Sequence, residues 1–222
     1  MLRRYLTVAL SLGIFILAMM AGWGFRDWRE YFSNPERAGV VVLALLGTVI
    51  VVGLGLDFDV LRAGQSEVGH QSVLLFLLTV ASIVLIWFLP DADRRQILTM
   101  DHARISRIVG LTLCALGMIV RLLALAKLGK QFSAYVSLQE GHELVQTGIY
   151  RVIRHPLYLS LLLLGPGFAL VFRSLLVLPI LVITAAFIST RIYQEERLLR
   201  KEFGSAFDEY RNRTWMLIPF IF

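Results

Sequence analysis

Long apolar runs with few or no charged residues make up most of this sequence, and they limit the folds that the chain can adopt. About 20 apolar residues in a helix cross the roughly 30 Å hydrocarbon layer of a membrane and satisfy every backbone hydrogen bond internally. Hydrophobic residues make up 57% of the 222 residues, whereas charged residues make up only 17%, compared with about a quarter in soluble domains. The sequence therefore predicts an all-α integral membrane protein.

The apolar runs predict about six transmembrane helices, which cover residues 5–23, 39–56, 71–89, 105–125, 157–172 and 175–189. Asn34-Pro35 should break the chain before the second run, and Pro90 should end the third. This divides the chain into a four-span scaffold, residues 1–127, and a C-terminal part, residues 128–222, which carries the candidate site.

The last two runs are separated only by Arg173-Ser174. A single helix through both runs would exceed the thickness of a bilayer and hold an arginine at its centre, which is costly. A helical hairpin places Arg173 at the membrane surface instead. Because a hairpin returns the chain to the side that it left, residues 141–158 and the tail after Arg191 should share one face.

The distribution of basic residues orients this topology. The face shared by residues 141–158 and the tail has 13 Lys and Arg residues and the opposite face has eight, leaving Arg121 aside. By the positive-inside rule the shared face is cytoplasmic. Arg121 lies six residues before Lys127, which is about 9 Å along a helix, so we expect its side chain to extend to the surface.

Several familiar chemistries lack their sequence signals. No glycine-rich turn joins a strand to a helix, and no His, Cys or acidic spacing indicates a metal site. The single Cys114 excludes a disulfide framework. The 22 Lys and Arg residues are spread over all loops and both termini instead of forming one stripe, which favours contacts with membrane lipid headgroups over nucleic-acid binding.

Residues 141–158, GHELVQTGIYRVIRHPLY, form the densest polar stretch of the sequence. Pro156 is suited to a first helical position, and the start of a helix exposes free backbone N–H groups that can hold an anion. His155 beside such a start can belong to a ligand site, or it can equally be a structural histidine. The polar residues of the stretch are His142, Glu143, Thr147, Tyr150, Arg151, Arg154, His155 and Tyr158.

A second polar group follows the hairpin. Arg191 and Glu195 are four residues apart and share one helix face, whereas Glu196 points about 100° away. A carboxylate suits a cationic or ribose-bearing ligand and an arginine suits a carboxylate substrate, but the spacing alone favours an ion pair within the helix.

The tail after Arg191 predicts a single surface helix over residues 191–213. Phe203, Phe207 and Tyr210 would form its apolar stripe. The final residues, WMLIPFIF, should dock at the membrane interface.

Short motifs in a fixed order cover residues 128–219. They are Leu128-Gly129, Phe132-Ser133, Val136, His142-x-Leu144-Val145, Thr147-Gly148-x-Tyr150, Arg154-His155-Pro156-x-Tyr158, Glu195-Glu196-x-x-Leu199, Phe203-Gly204 and Tyr210. As a set they resemble the isoprenylcysteine carboxyl methyltransferase and phospholipid methyltransferase superfamily. The first four spans carry no matching motif.

This resemblance implies a membrane enzyme that uses S-adenosylmethionine in a pocket open to the cytosol. Arg191 would face a lipid or small membrane-partitioned methyl acceptor, and Arg191, Glu195 and Glu196 form the candidate catalytic set. The residues implied to contact the cofactor are Ser137, His142, Glu143, Leu144, Val145, Tyr150, His155, Pro156, Leu157, Tyr158 and Glu195.

The expected reaction is an in-line methyl transfer in which the enzyme holds donor and acceptor in near-attack geometry. A carboxylate acceptor needs no general base, whereas an amine or thiol can lose its proton to Glu195 or Glu196. Two alternatives stay open at this point: an NADPH-dependent reductase related to membrane sterol reductases, and a membrane partner protein without enzymatic activity.

Overall fold

A computed structural model of the protein describes residues 2–53, 68–129 and 144–220. Within these ranges the chain is helical, and its only β-type pairings are two isolated bridges. A short 3-10 helix, Gly148–Arg151, precedes α6. The α-helices are α1 (Leu2–Trp23), α2 (Trp28–Ser33), α3 (Pro35–Gly53), α4 (Val68–Arg95), α5 (Ala103–Leu128), α6 (Pro156–Val171), α7 (Val177–Phe203) and α8 (Ser205–Arg213).

Membrane-spanning length and apolar composition occur together in four helices of the described part: α3, the Phe76–Arg95 segment of α4, α5 and α7. The Val8–Trp23 segment of α1 and all of α6 are apolar but shorter. The prediction of an all-α, multi-pass membrane protein is confirmed. The number of helices that cross the membrane stays a prediction.

Helices α5 and α6 approach each other closely because small residues lie between them. A Cβ atom on Gly110 would lie 2.5 Å from the backbone nitrogen of Val171, and one on Gly167 would lie 3.0 Å from the backbone nitrogen of Cys114. Only glycine permits such contact between helix backbones, as is common between membrane helices. This packing fixes the position of α6, which begins next to His155.

Pro35 begins a helix, whereas Pro90 lies inside one. Helix α3 begins at Pro35, and the Asn34 side chain accepts a 2.9 Å hydrogen bond from the Arg37 N–H, so the predicted break is confirmed. The prediction that Pro90 ends a span is wrong, since α4 continues through Pro90 to Arg95. The added turn is held by Asp91, which accepts a 2.7 Å bond from Arg95.

The predicted helical hairpin is present as α6, a turn and α7. Arg173 lies in the turn with a φ of 53°. The turn is fixed to the segment between α4 and α5, because Met100 N donates to Arg173 O at 2.7 Å and Leu175 N donates to Leu98 O at 2.8 Å. This turn therefore marks one end of the hairpin, and the start of α6 marks the opposite end.

The predicted single helix over residues 191–213 is wrong at Gly204. Helix α7 ends at Phe203, and Gly204 takes a φ of 53°, a left-handed conformation that glycine adopts without a steric cost. The chain then turns into α8, whose Tyr210 hydroxyl donates a 2.8 Å hydrogen bond to the carbonyl of Tyr150. The break therefore lets α8 pack against the segment that precedes α6.

Arg121 is partly exposed, and the extension of its side chain to the membrane surface stays a prediction. Together with apolar side chains it lines a cavity of about 610 Å³ between the helices. The cavity wall includes residues of α1, α3, α4, α5, α6 and α7, so the N-terminal spans and the C-terminal part form it together.

Candidate active site

The start of α6 and the second half of α7 meet at one polar site. The Tyr158 hydroxyl donates a 2.7 Å hydrogen bond to Oε2 of Glu195, although the two residues are 37 positions apart. Nε2 of His155 lies 3.2 Å from Oε1 of Glu196. The structure therefore brings together the two polar segments that the hairpin topology predicts to share a face.

The two glutamates have different surroundings. Glu196 contacts three basic side chains: its Oε1 lies 3.2 Å from Nε of Arg154 and 3.2 Å from Nε2 of His155, and its Oε2 lies 3.7 Å from Nε of Arg211. Glu195 is more open, with 36% of its side chain exposed. Both glutamates contact the chain where α6 begins, although their side chains point about 100° apart on α7. Glu195 contacts Tyr158, and Glu196 contacts Arg154 and His155.

The C-terminal tail fixes the backbone that precedes α6. Arg154 N donates to Trp215 O at 2.8 Å, His155 N donates to Met216 O at 3.1 Å, and Trp215 N donates to Val152 O at 2.9 Å. The Arg154 guanidinium also donates to the carbonyl oxygens of Arg211, at 2.9 Å, and Thr214.

These tail contacts pair residues 152–155 with residues 214–216. We predicted docking of the tail at the membrane interface and missed this pairing. A short backbone pairing of this kind leaves no repeated pattern in the sequence.

His155 is buried at the N-terminus of α6, and Pro156 occupies the first turn, as predicted. The His155 carbonyl accepts a 3.1 Å hydrogen bond from the Leu159 N–H. The imidazole ring lies beside the Tyr158 ring, with a centroid separation of 5.7 Å. These contacts hold both side chains towards the glutamates of α7.

Two buried tyrosines support the site from the side of α8. Burial is the main cause that raises the pKa of Tyr150 and of Tyr210. The Glu195 carboxylate raises the pKa of both further, and for Tyr210 the Arg154 guanidinium opposes the increase. Both phenols therefore stay protonated at neutral pH. The Tyr210 hydroxyl serves as a donor in its 2.8 Å hydrogen bond to the Tyr150 carbonyl.

Several other predicted site residues lie on the stretches of the chain that meet here. Arg191 is buried on α7, and its guanidinium is near enough to the Tyr158 hydroxyl to interact with it. Leu144 and Val145 are half-buried just before the 3-10 helix, and Leu157 is half-buried in the first turn of α6. Ser137, His142 and Glu143 lie outside the described residues.

Within residues 2–53, 68–129 and 144–220, no His, Cys, Asp and Glu side chains cluster as a metal site requires.

Comparison with protein families identifies residues 109–201 as a match to the isoprenylcysteine carboxyl methyltransferase family. The match begins within α5, before the first motif recognised in the sequence, and it includes both halves of the polar site. The resemblance predicted from the sequence is confirmed.

Curated relatives carry the corresponding names. The chain is 34% identical over 121 residues to the protein-S-isoprenylcysteine O-methyltransferase of Saccharomyces cerevisiae, covering 53% of this chain and 51% of that protein. It is 28% identical to protein-S-isoprenylcysteine O-methyltransferase B of Arabidopsis thaliana, covering 68% and 75%. A probable enzyme of this name from Oryza sativa subsp. indica is 31% identical over 51% of this chain, which spans 61% of that relative's length.

A solved structure has the same fold. It is the eukaryotic intramembrane Ras methyltransferase ICMT, with a TM-score of 0.60 and 23% sequence identity. The superposition covers 96% of this chain and 75% of that one. The arrangement of the helices is therefore that of a known membrane protein.

Proposed function

The chain is related to the isoprenylcysteine carboxyl methyltransferase family through residues 109–201, and on this basis we propose that it is a membrane methyltransferase that uses S-adenosylmethionine. The observation that carries the proposal is the contact between the RHPLY motif and the paired glutamates, with Tyr158 bonded to Glu195 and His155 next to Glu196. Residues 128–222 would form the cofactor-binding part and residues 1–127 the membrane scaffold.

The side chains at the site fit the chemistry of this cofactor. When bound, S-adenosylmethionine supplies an activated methyl group on a sulfonium, and it also carries ribose hydroxyl groups. Glu195 offers a partly exposed carboxylate, and its Oε1 lies 3.9 Å from Nδ1 of His155. A carboxylate in this state can accept hydrogen bonds from hydroxyl groups or lie near a positive charge.

Tyr158 orients Glu195, and the ion-paired Glu196 holds His155 at the start of α6. We propose that the remaining cofactor contacts come from Leu144, Val145, Tyr150, Pro156 and Leu157. Ser137, His142 and Glu143 complete the proposed set.

The acceptor is proposed to be a lipid or another membrane-partitioned molecule. The cavity of about 610 Å³ lies among the membrane helices and has a mostly apolar wall, so it can receive the apolar part of such a molecule. The relatives are named for methylation of isoprenylcysteine, and a carboxylate of this type is our first candidate for the acceptor group. Buried Arg191 would hold that carboxylate.

The chain's residues then have separate roles. Arg191 would orient a carboxylate acceptor, which is already ionised and needs no general base, so positioning supplies most of the rate acceleration. With an amine or thiol acceptor, a glutamate would take the proton. Glu195 suits this role better than Glu196, because Glu196 already contacts Arg154, Arg211 and His155.

Calorimetric titration of the purified protein tests the cofactor. S-adenosylmethionine and S-adenosylhomocysteine should bind and NADPH should not. Binding of NADPH alone would favour a reductase, and binding of none of the three would favour a non-enzymatic protein.

Glu195→Gln should weaken S-adenosylmethionine binding about tenfold, because it removes a charged hydrogen-bond acceptor. Glu202→Gln, at an exposed position of the same helix, is the matched control. Equal affinities for the two variants would remove Glu195 from the site.

A labelling experiment identifies the acceptor. Membranes that contain the protein are incubated with S-adenosylmethionine carrying an isotopically labelled methyl group, and mass spectrometry then shows which molecule gains the label. We expect a base-labile ester on a lipidated molecule. Label on a phospholipid amine would keep the methyltransferase assignment but exclude the carboxylate acceptor.

Sealed membrane vesicles of known orientation test the direction of the site. Externally added S-adenosylmethionine should support labelling only in vesicles whose cytoplasmic face is outside. Labelling only in the opposite orientation would contradict the cytosolic placement of the site.

A further inference from the structure

A second polar cluster lies at the opposite end of the hairpin from His155. Its centre is Asp93, whose side chain is fully buried. Oδ1 of Asp93 accepts a 2.6 Å bond from Nε of Arg173, and Oδ2 accepts a 2.9 Å bond from Arg107. Arg37 is the third basic partner, 3.4 Å from Oδ2. We call Asp93 and these three arginines the arginine hub.

The arginine hub has more positive than negative charge. Three guanidinium groups share one carboxylate, which leaves two positive charges without a balancing acid inside the hub. Two acids at this end of the helices have other arginine partners: Asp27 pairs with Arg94, and Asp91 pairs with Arg95. Charges that are largely removed from water need a partner of opposite sign. The hub therefore has the electrostatic character of an anion site.

Two of the three arginines are arranged so that an anion could reach them. Arg107 and Arg173 both bond to Oδ1 of Asp93, so their guanidinium groups are neighbours, and their side chains are 13% and 14% exposed. Arg37 faces inward, with its guanidinium carbon 4.1 Å from the centre of the Trp23 ring. Neighbouring guanidinium groups at a surface match the spacing and charge of phosphate oxygens.

The hub lies where membrane helices begin and end. Arg37 is near the start of α3, Asp93 near the end of α4, and Arg107 near the start of α5. On α5 the apolar side chains of Ile105 and Ile108, on either side of Arg107, are exposed. An exposed apolar surface beside a basic group is the arrangement that a lipid meets at the boundary between acyl chains and headgroups.

We propose that the arginine hub binds the phosphate of an anionic phospholipid from the leaflet opposite the His155 site. Arg107 and Arg173 would contact the phosphate oxygens, and Asp93 would hold both guanidinium groups in place. The acyl chains would pass over the exposed apolar surface of α5. This binding is independent of the methyltransferase activity, and its test uses no methyl donor.

Native mass spectrometry of the full-length protein, purified in detergent, tests the proposal with added phosphatidylglycerol. The wild-type protein should retain one lipid, and Arg107→Gln should reduce retention about tenfold, the effect of losing a charge-assisted hydrogen bond. Arg95→Gln is the control, since it removes one positive charge at the same end from a side chain that is 66% exposed. Equal retention by both variants would overturn the proposal.

A second variant separates lipid binding from folding, and a second probe separates a lipid phosphate from free phosphate. Arg107→Lys keeps the positive charge, so the variant should retain the fold, as judged by gel filtration. It loses the planar pair of guanidinium donors, so it should bind less phosphatidylglycerol. Inorganic phosphate is the second probe. If it displaces the lipid at equal concentration, the site binds phosphate as a free ion and the lipid assignment is wrong; no displacement supports the lipid.

Discussion

The two ends of the α6–α7 hairpin each have a carboxylate among basic or phenolic side chains, but the two carboxylates differ in exposure. Asp93 is fully buried and shared by three arginines. Glu195 is 36% exposed and bonds through Oε2 to Tyr158. A buried carboxylate with several ion pairs is suited to fixing helices, whereas a partly exposed one can still bind a ligand. The hairpin thus joins a structural end to a candidate reactive end.

The largest expected effect tests the structural end. Asp93→Asn leaves three largely buried arginines without their carboxylate, and breaking buried ion pairs costs about 3–5 kcal/mol. We expect a large fall in the thermal unfolding midpoint in detergent. Asp91→Asn is the control, because its partner Arg95 is 66% exposed and such pairs contribute about 1 kcal/mol or less. Similar losses for both variants would show that the hub does not fix the helices.

The next effect tests the reactive end. Arg191→Ala should lower turnover about a hundredfold on a carboxylate acceptor, since it removes a buried charged partner. S-adenosylmethionine affinity in calorimetry should be nearly unchanged. Arg197→Ala, at an exposed position on α7, should retain activity. Normal turnover of the Arg191 variant would refute the acceptor role.

A smaller effect concerns the orientation of Glu195. Tyr158→Phe removes the 2.7 Å hydrogen bond to its carboxylate, and we expect S-adenosylmethionine affinity to fall about tenfold or less. Tyr193→Phe removes a hydroxyl from an exposed residue of α7 and is the matched control. If calorimetry gives one affinity for both variants, Tyr158 does not position the carboxylate.

The smallest effect tests the break between α7 and α8. Gly204→Ala places a side chain at a φ of 53°, which costs about 1 kcal/mol. Apart from the two neighbouring residues, no atom of the described part of the chain would lie within 4 Å of the added Cβ, so the cost is mainly conformational. Gly53→Ala, at the end of α3, also adds a Cβ in open space, and we expect it to be neutral or stabilising. Thermal unfolding of both variants measures the difference; equal midpoints would contradict a strained Gly204.

Much of the fold follows from local rules that the sequence displays. The charge at Arg173 predicts the hairpin because a guanidinium in the centre of a bilayer is costly, and the hairpin in turn predicts that the RHPLY motif and the glutamates share a face. Pro35 marks a helix start because its ring suits the first turn. These inferences depend on one residue and its immediate neighbours.

The missed features depend on contacts between distant segments. Pro90 stays inside α4, and the turn that follows it contains Asp93, which bonds to arginines from three other elements. The cavity that Arg121 lines is likewise formed by helices from both halves of the chain. Spacing in the sequence cannot reveal partners of this kind.

The candidate site also depends on contacts between distant segments. Spacing alone favoured an ion pair between Arg191 and Glu195, and the structure adds contacts of the two glutamates with Tyr158 on α6 and with His155 just before it. The Glu196 contacts with Arg154 and Arg211 also join separate elements. Only the resemblance to a family indicated that both segments belong to one site.

The pairing of residues 152–155 with residues 214–216 has a consequence for biosynthesis. The backbone of Arg154 and His155 is held by Trp215 and Met216, which a ribosome delivers about sixty residues later. The segment next to His155 can therefore acquire its final shape only after those residues have been made. Assembly of the candidate reactive end is therefore a late event, and a nascent chain that stalls before Thr214 would lack the tail contacts that hold Arg154 and His155.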